Sequence, residues 1–149
     1  MLYDRFPVFS EPINLYIPRL NIYQLEIKFT MSTLDPSVRE KIEQWLSGSY
    51  DDDTKSSIRT MLDNEQYSEL TDAFYKDLEF GTGGLRGIMG VGSNRVNKYT
   101  FGIATQGLSN FLKKTYPGEK LKVAIAHDCR NNSDTLAKVV ADVFSANGI

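Results

Sequence analysis

The sequence is poor in the residues on which several chemistries depend. Cys129 is its only cysteine, so no intrachain disulfide can form, and the chain suits a reducing cytoplasm. Lying beside an apolar run, Cys129 is expected to be a small, partly buried packing residue. His127 is the only histidine. One histidine makes no metal cluster, and no serine or cysteine nucleophile is paired to it by motif, so it is assigned to a structural or rim position. No apolar run approaches the length of a membrane-spanning helix, and the first residues lack the basic head and continuous apolar segment of a signal peptide. Net charge is only −2, so nothing global points to nucleic acid. These scarcities lead to the expectation of a cytoplasmic chain without nucleic-acid or membrane partners.

What is present is ordinary in bulk and uneven in detail. At 149 residues, with 41% apolar and 24% charged, the chain is long enough for one domain with a real core. Residues 31–77 carry eleven acidic and five basic side chains, a balance of −6, whereas residues 78–149 carry five acidic and nine basic, a balance of +4. A locally basic half favours an anionic ligand, and solvated lysines on a helix face would give the same count.

Glycine is concentrated in one stretch. Six of the eleven glycines fall within Phe80 to Gly92, FGTGGLRGIMGVG. Such a backbone can adopt positive φ and turn amide hydrogens toward an anion. Arg86 adds a planar guanidinium suited to phosphate or carboxylate, and Thr82 adds a hydroxyl. Two familiar phosphate loops are excluded by position: a dinucleotide fingerprint begun at Gly81 and Gly83 meets Arg86 where glycine is required, and a P-loop from Gly87 to Gly92 meets Ser93 where lysine is required. A plain glycine-rich turn with a solvated arginine remains the alternative.

Along the rest of the chain, the three prolines in residues 1–30 interrupt any helix, and short extended pieces are expected there, in an upstream extension that folds poorly. Met31, followed by Asp35-Pro36, looks like a more natural beginning. Val38, Ile42, Trp45 and Leu46 then mark a helix ending at Gly48. Asp51, Asp52 and Asp53 suit the first turn of a second, with Ile58, Met61 and Leu62 as its apolar face. A third is expected over about 65–76, with Leu70 and Phe74 inward. Consecutive aspartates on a helix point in different directions, which argues against a metal site. Asn97 caps a fourth helix with apolar positions Phe101, Ala104, Leu108, Phe111 and Leu112, stopped by Pro117-Gly118. Leu121 to Ala126 reads as a strand covered on both faces. The last helix starts near Ser133, carries Leu136, Val139, Val140, Val143 and Phe144 inward, and closes at Gly148. Alternation of strand and helix predicts an α/β layer. In such layers ligands gather where strands end, here at His127-Asp128-Cys129-Arg130, unless that segment is an ordinary turn in which Asp128 and Asn131 cap locally.

Leu78 to Gly87 (LEFGTGGLRG), followed by a helix and then Val123 to Arg130 (VAIAHDCR), resembles the opening domain of the α-D-phosphohexomutases, most of all the bacterial phosphoglucomutase/phosphomannomutase group. The resemblance covers roughly residues 35–149. It implies residues 1–30 as an extension, 31–77 as a helical N-terminal segment and 78–149 as an incomplete three-layer α/β/α domain with a mixed, mostly parallel sheet. It also implies phosphoryl transfer between positions 1 and 6 of a hexose phosphate, through a phosphoserine and a hexose bisphosphate, with Mg²⁺. By motif, Thr82, Gly83, Gly84 and Arg86 correspond to the loop facing the phosphoserine and the sugar bisphosphate. Asp128 and Arg130 correspond to the pair supporting the active-site floor, and Arg86 and Arg130 take supporting catalytic roles. Gly83 departs from the serine many members carry.

The family's serine loop, Thr-Ala-Ser-His-Asn-Pro, its aspartate-rich metal loop and its sugar-gripping domains have no counterpart in the sequence. The resemblance therefore leads to the expectation of an amino-terminal fragment, inactive alone, with an open sheet edge, marginal stability and the missing domains as partners. A non-catalytic phosphate-binding module, or an interaction domain using the acidic helices of residues 35–77, stands beside it.

Overall fold

The structure, a computed structural model, describes residues 33–82 and 84–149. The expectations for residues 1–30, the beginning at Met31 and the conformation of Gly83 lie outside the described residues.

Three short helices form the core. Helix α1 is Pro36–Ser47: the Asp35 carboxylate accepts from the Ser37 amide at 2.8 Å, and Pro36 opens the first turn. Val38, Ile42 and Trp45 are buried, as the period requires. Gly48 ends the helix in extended rather than left-handed backbone, and a Cβ there would stand 2.7 Å from the Gln44 carbonyl. Helix α2, Asp52–Asp63, is capped by Asp51, with Asp52 and Asp53 in its first turn and Ile58 and Leu62 buried. Helix α3, Tyr67–Phe74, has no side-chain cap and holds through Leu70, Ala73 and Phe74, each with no solvent exposure. Burial of each large apolar side chain contributes roughly 1.5–3 kcal/mol, which is why such short helices persist.

Helix α4, Lys98–Thr115, opens with a capping box: Asn97 accepts from the Tyr99 and Thr100 amides, and the Thr100 hydroxyl accepts from the Asn97 amide. It packs on α5, Ser133–Ala146, which closes through Gly148 at φ 73 with Ile149 N–H donating to the Phe144 carbonyl at 3.0 Å. The expected apolar stripe of α4 is not its buried face. The buried residues are Thr105 and Ser109, whose hydroxyls donate to the Phe101 and Thr105 carbonyls one turn back, while Leu108 and Phe111 are exposed. Periodicity marks a stripe without saying what covers it. On α5 only Phe144 is fully buried, and Leu136, Val139, Val140 and Val143 are half-buried.

The sheet also differs from expectation. Strands β1, Phe80–Gly81, and β2, Gly84–Leu85, form an antiparallel hairpin pairing Phe80 with Leu85 and Gly81 with Gly84. It is the only sheet among the described residues, in place of the mostly parallel one. Leu121–Ala126 joins no ladder, and Val123 and Ile125 are exposed. A strand exists only against a partner, and an apolar run records a preference for burial without specifying an edge to pair with.

Charge and aromatic contacts tie the helical trio to the remainder. Trp45 stacks on Tyr50 with centroids 4.3 Å apart and meets Phe74 and Tyr99 edge-on. The Asp51 carboxylate accepts from the Tyr99 hydroxyl and lies 3.1 Å from Lys98 Nζ, while the Arg95 guanidinium lies 2.7 Å from Glu69 and from Asp72. Part of the acidic excess of residues 31–77 thus faces the basic half of the same chain. Hydrogen bonds from Tyr99, then Thr54, with Lys98 adding to them, hold Asp51 well below the usual carboxylate range. A depressed folded value means stability present above the ordinary aspartate range and lost as pH falls through it. Asp51→Ala should therefore cost about 1–2 kcal/mol at pH 7. Urea titrations of both proteins should show the gap shrinking below about pH 4. A gap independent of pH would exclude the ionised carboxylate as its source.

Candidate functional site

Arg86 emerges directly from β2 and is exposed, forming no ion pair among the described residues. Beyond it, the Val96 amide donates to the Ile88 carbonyl at 2.8 Å and the Gly90 amide to the Val96 carbonyl at 3.3 Å, so the chain returns alongside itself. Asn97 closes the turn, its Nδ2 donating to the carbonyls of Gly90 and Gly92 at 2.9 Å each. The glycine stretch is thus an anchored double-back whose free end presents a guanidinium.

Arg130 arrives from the turn after Ala126. Asp128 organises that turn: Oδ1 accepts from the Arg130 amide at 3.0 Å, Oδ2 from Arg130 Nε at 2.7 Å, and the Asp128 amide donates to Ser133 Oγ at 3.1 Å. The Arg130 amide, then its guanidinium, hold the Asp128 carboxyl below its ordinary range. Asn132 sits at φ 59 before α5, and among the described residues no hydrogen bond from Asn131 joins this turn. Arg130 commits Nε to Asp128, and among the described residues nothing accepts from its Nη atoms.

Both arginines line one cleft of about 1030 Å³, with Gly87, Asp128 and His127. Its apolar wall includes Phe101 and Leu108 from the expected stripe of α4, Val123 and Ile125, and Leu136 and Val140 of α5. A cationic mouth over an apolar wall strengthens attraction for an anion, because low-polarity walls focus the field. Thr82, exposed at the hairpin turn, and Gly84, at φ 111, are not among the lining residues. His127 is exposed and lines the cleft. Cys129, expected to be partly buried, is exposed, because it stands in the turn rather than in the apolar run. Among the described residues no group of three histidine, cysteine or carboxylate side chains could hold a metal ion, so the residues present do not fit the Mg²⁺ that the resemblance implies.

Three residues that the sequence did not assign to the site shape it. Arg95 is 2% exposed, Asn97 staples the turn, and Gly92 lies against α3. A lone arginine in a polar loop looks like any solvated one; only the capping signal at Asn97 was readable in advance.

Arg86 and Arg130, from separate segments, thus line one cleft in a chain of mixed α and β structure. Residues 77–149 match the family model described as phosphoglucomutase/phosphomannomutase, alpha/beta/alpha domain I, and this part of the chain belongs to the α-D-phosphohexomutase family. Similar proteins include the "Probable phosphoribomutase" of Schizosaccharomyces pombe, 34% identical over 116 residues, covering 77% of this chain and 20% of that protein. A glucose 1,6-bisphosphate synthase of Mus musculus is 33% identical over 124 residues, covering 78% and 20%. A phosphopentomutase of Homo sapiens is 30% identical over 122 residues, covering 77% and 20%. The chain spans about a fifth of the length of these relatives. No solved structure matches it at a significant level. None of the described helices is long and apolar enough to cross a membrane.

Proposed function

We propose that the chain supplies the first-domain half of a phosphosugar cleft in a cytoplasmic mutase that moves a phosphoryl group between two positions of a sugar phosphate by way of a bisphosphate. The observation that carries this reading is the convergence of Arg86 and Arg130 on one cleft. Arg86 binds one phosphate as a two-pronged cation and Arg130, its Nε held by Asp128, meets a second anionic group; the loop motif assigns a hydroxyl and amides of Thr82, Gly83 and Gly84 to the same phosphate, although Thr82 and Gly84 stand outside the lining of the cleft. Such groups neutralise and orient a transferring phosphoryl group. Residues 78–149 act as part of a three-layer domain in which Leu121–Ala126 becomes a strand of a mostly parallel sheet, and residues 31–77 form the helical segment before it. The phosphorylated serine and the ligands of Mg²⁺ come from outside the described residues, so the chain alone binds without turning over.

A hexose phosphate is the substrate class the loop motif favours. The names of relatives that are phosphoribomutases and phosphopentomutases favour a pentose phosphate as the second. Calorimetric titration with glucose 1,6-bisphosphate tests the site. Arg86→Ala should weaken binding roughly ten- to a hundredfold, the expected loss of a charge-assisted contact of about 1.5–3 kcal/mol. Equal affinity in the variant would remove Arg86 from the site, and conversion of glucose 1-phosphate by the chain alone would overturn the division of labour.

A further inference from the structure

We propose that Arg95 is a positioning residue for this cleft: by fastening the loop to the C-terminal end of α3, it sets where Arg86 stands. This rests on the anion-cleft reading. A buried guanidinium is disfavoured unless its donors are satisfied, and Arg95, 2% exposed, satisfies them on α3. Its Nη2 lies 2.7 Å from Glu69 Oε1 and 2.7 Å from Asp72 Oδ2, and Nη1 donates to the Asp72 carbonyl at 3.2 Å. Neighbouring residues complete the attachment. Asn94 donates from its amide to the Ala73 carbonyl and from Nδ2 to the Asp72 carbonyl, at 2.9 Å each, and Ser93 Oγ donates to the Lys76 carbonyl at 2.6 Å. The loop thereby takes up carbonyls that a helix end leaves without partners, and it puts a cation where the helix dipole favours one.

The attachment reaches Arg86 through one rung. Val96, next to Arg95, donates to the Ile88 carbonyl at 2.8 Å, and its Cγ2 would stand 3.5 Å from a Cβ added at Gly87. Only Gly87 separates Ile88 from Arg86. Glu69 and Asp72 precede the matched residues 77–149, so the helical segment ahead of the family domain shapes the loop inside it. Both carboxylates are more than half exposed and lose little by facing water. The buried pairing fixes position rather than adding much stability.

The test uses the whole chain, with glucose 1,6-bisphosphate as probe and the Arg86 Nε–H resonance as a ligand-free readout. Arg95→Met should weaken binding roughly tenfold, since a displacement of about 1 Å at a charged contact is costly, with Arg95→Lys intermediate. In an Arg86→Ala background the same substitution should cost less than about twofold, because its effect passes through Arg86. The Arg86 Nε–H signal should shift or broaden in the unliganded Arg95→Met chain. A full-sized loss in the Arg86→Ala background, or an unmoved Arg86 signal, would overturn the proposal. Failure of the unaltered chain to bind the bisphosphate would sink the cleft reading, while the Arg86 signal still decides the positioning role. If Arg95→Met unfolds, Glu69→Gln carries the same measurements.

Discussion

Gly92→Ala should destabilise the chain by about 3 kcal/mol, from left-handed backbone strain and overpacking together. Gly92 is buried at φ 122, in a region side chains rarely enter, and an added Cβ would stand 2.5 Å from the Ala73 carbonyl oxygen and 2.9 Å from the Ala73 Cβ. The obstacle is helix backbone, which cannot rotate away as a side-chain tip would. Relief requires the loop to lift from α3, which would lengthen the bond from the Asn94 amide to the Ala73 carbonyl and disturb the Arg95 pairing. Gly107→Ala serves as the contrast. Gly107 lies within α4 with no neighbour among the described residues within 4 Å of its added Cβ, so that change should stabilise by roughly 0.5–1 kcal/mol. Urea unfolding of both variants measures the difference, and effects of the same sign would contradict the packing described.

Phe74→Ala should cost still more, about 3–5 kcal/mol. Phe74 has no solvent exposure, ends α3 and meets Trp45 edge-on at 5.5 Å. Its removal leaves a cavity among α1, α2 and α3 that helices of 12, 12 and 8 residues cannot close without shifting. Typical domains have about 5–15 kcal/mol in total, so the variant should sit near its unfolding threshold at room temperature. Trp45, the single tryptophan, reports the loss directly through its emission during thermal unfolding. A melting temperature within a few degrees of the parent would mean that the three-helix core is not what holds the chain together.

Gly92→Ala acts on the contact between α3 and the glycine loop and Phe74→Ala on the packing of α3 against α1 and α2, so α3 joins parts of unlike legibility. The helices could be read in advance from local rules. Asp35-Pro36 and Asn97 begin the helices they were expected to begin, and Asp51, expected in the first turn of its helix with Asp52 and Asp53, stands one place earlier as its cap, because capping depends on backbone groups within three residues. Val38, Ile42, Ile58, Leu62, Leu70 and Phe74 are buried as their spacing predicts. The glycine stretch was recognisable as a loop presenting Arg86, and its ten-residue motif was long enough to identify the family.

What failed depended on partners. Leu121–Ala126 has strand composition but no ladder among the described residues, and Phe101 and Leu108 of α4 line a cleft while Thr105 and Ser109 are buried. Cys129 follows its turn and not the adjacent run. The charge imbalance was visible as numbers, yet nothing in the order of residues said that Glu69 and Asp72 would meet Arg95.

Alone, then, the order of residues determined where helices start and stop, which side of each of the first three is apolar, and that a guanidinium rides on a glycine-rich loop. Each of these follows from interactions spanning a few residues. Tertiary structure decided that Arg86 shares a cleft with Arg130, that Arg95 is buried against α3 and that Gly92 admits no side chain. Those outcomes turn on the approach of segments some twenty to forty residues apart, where packing and charge pairing act through space and leave no periodic trace in the chain.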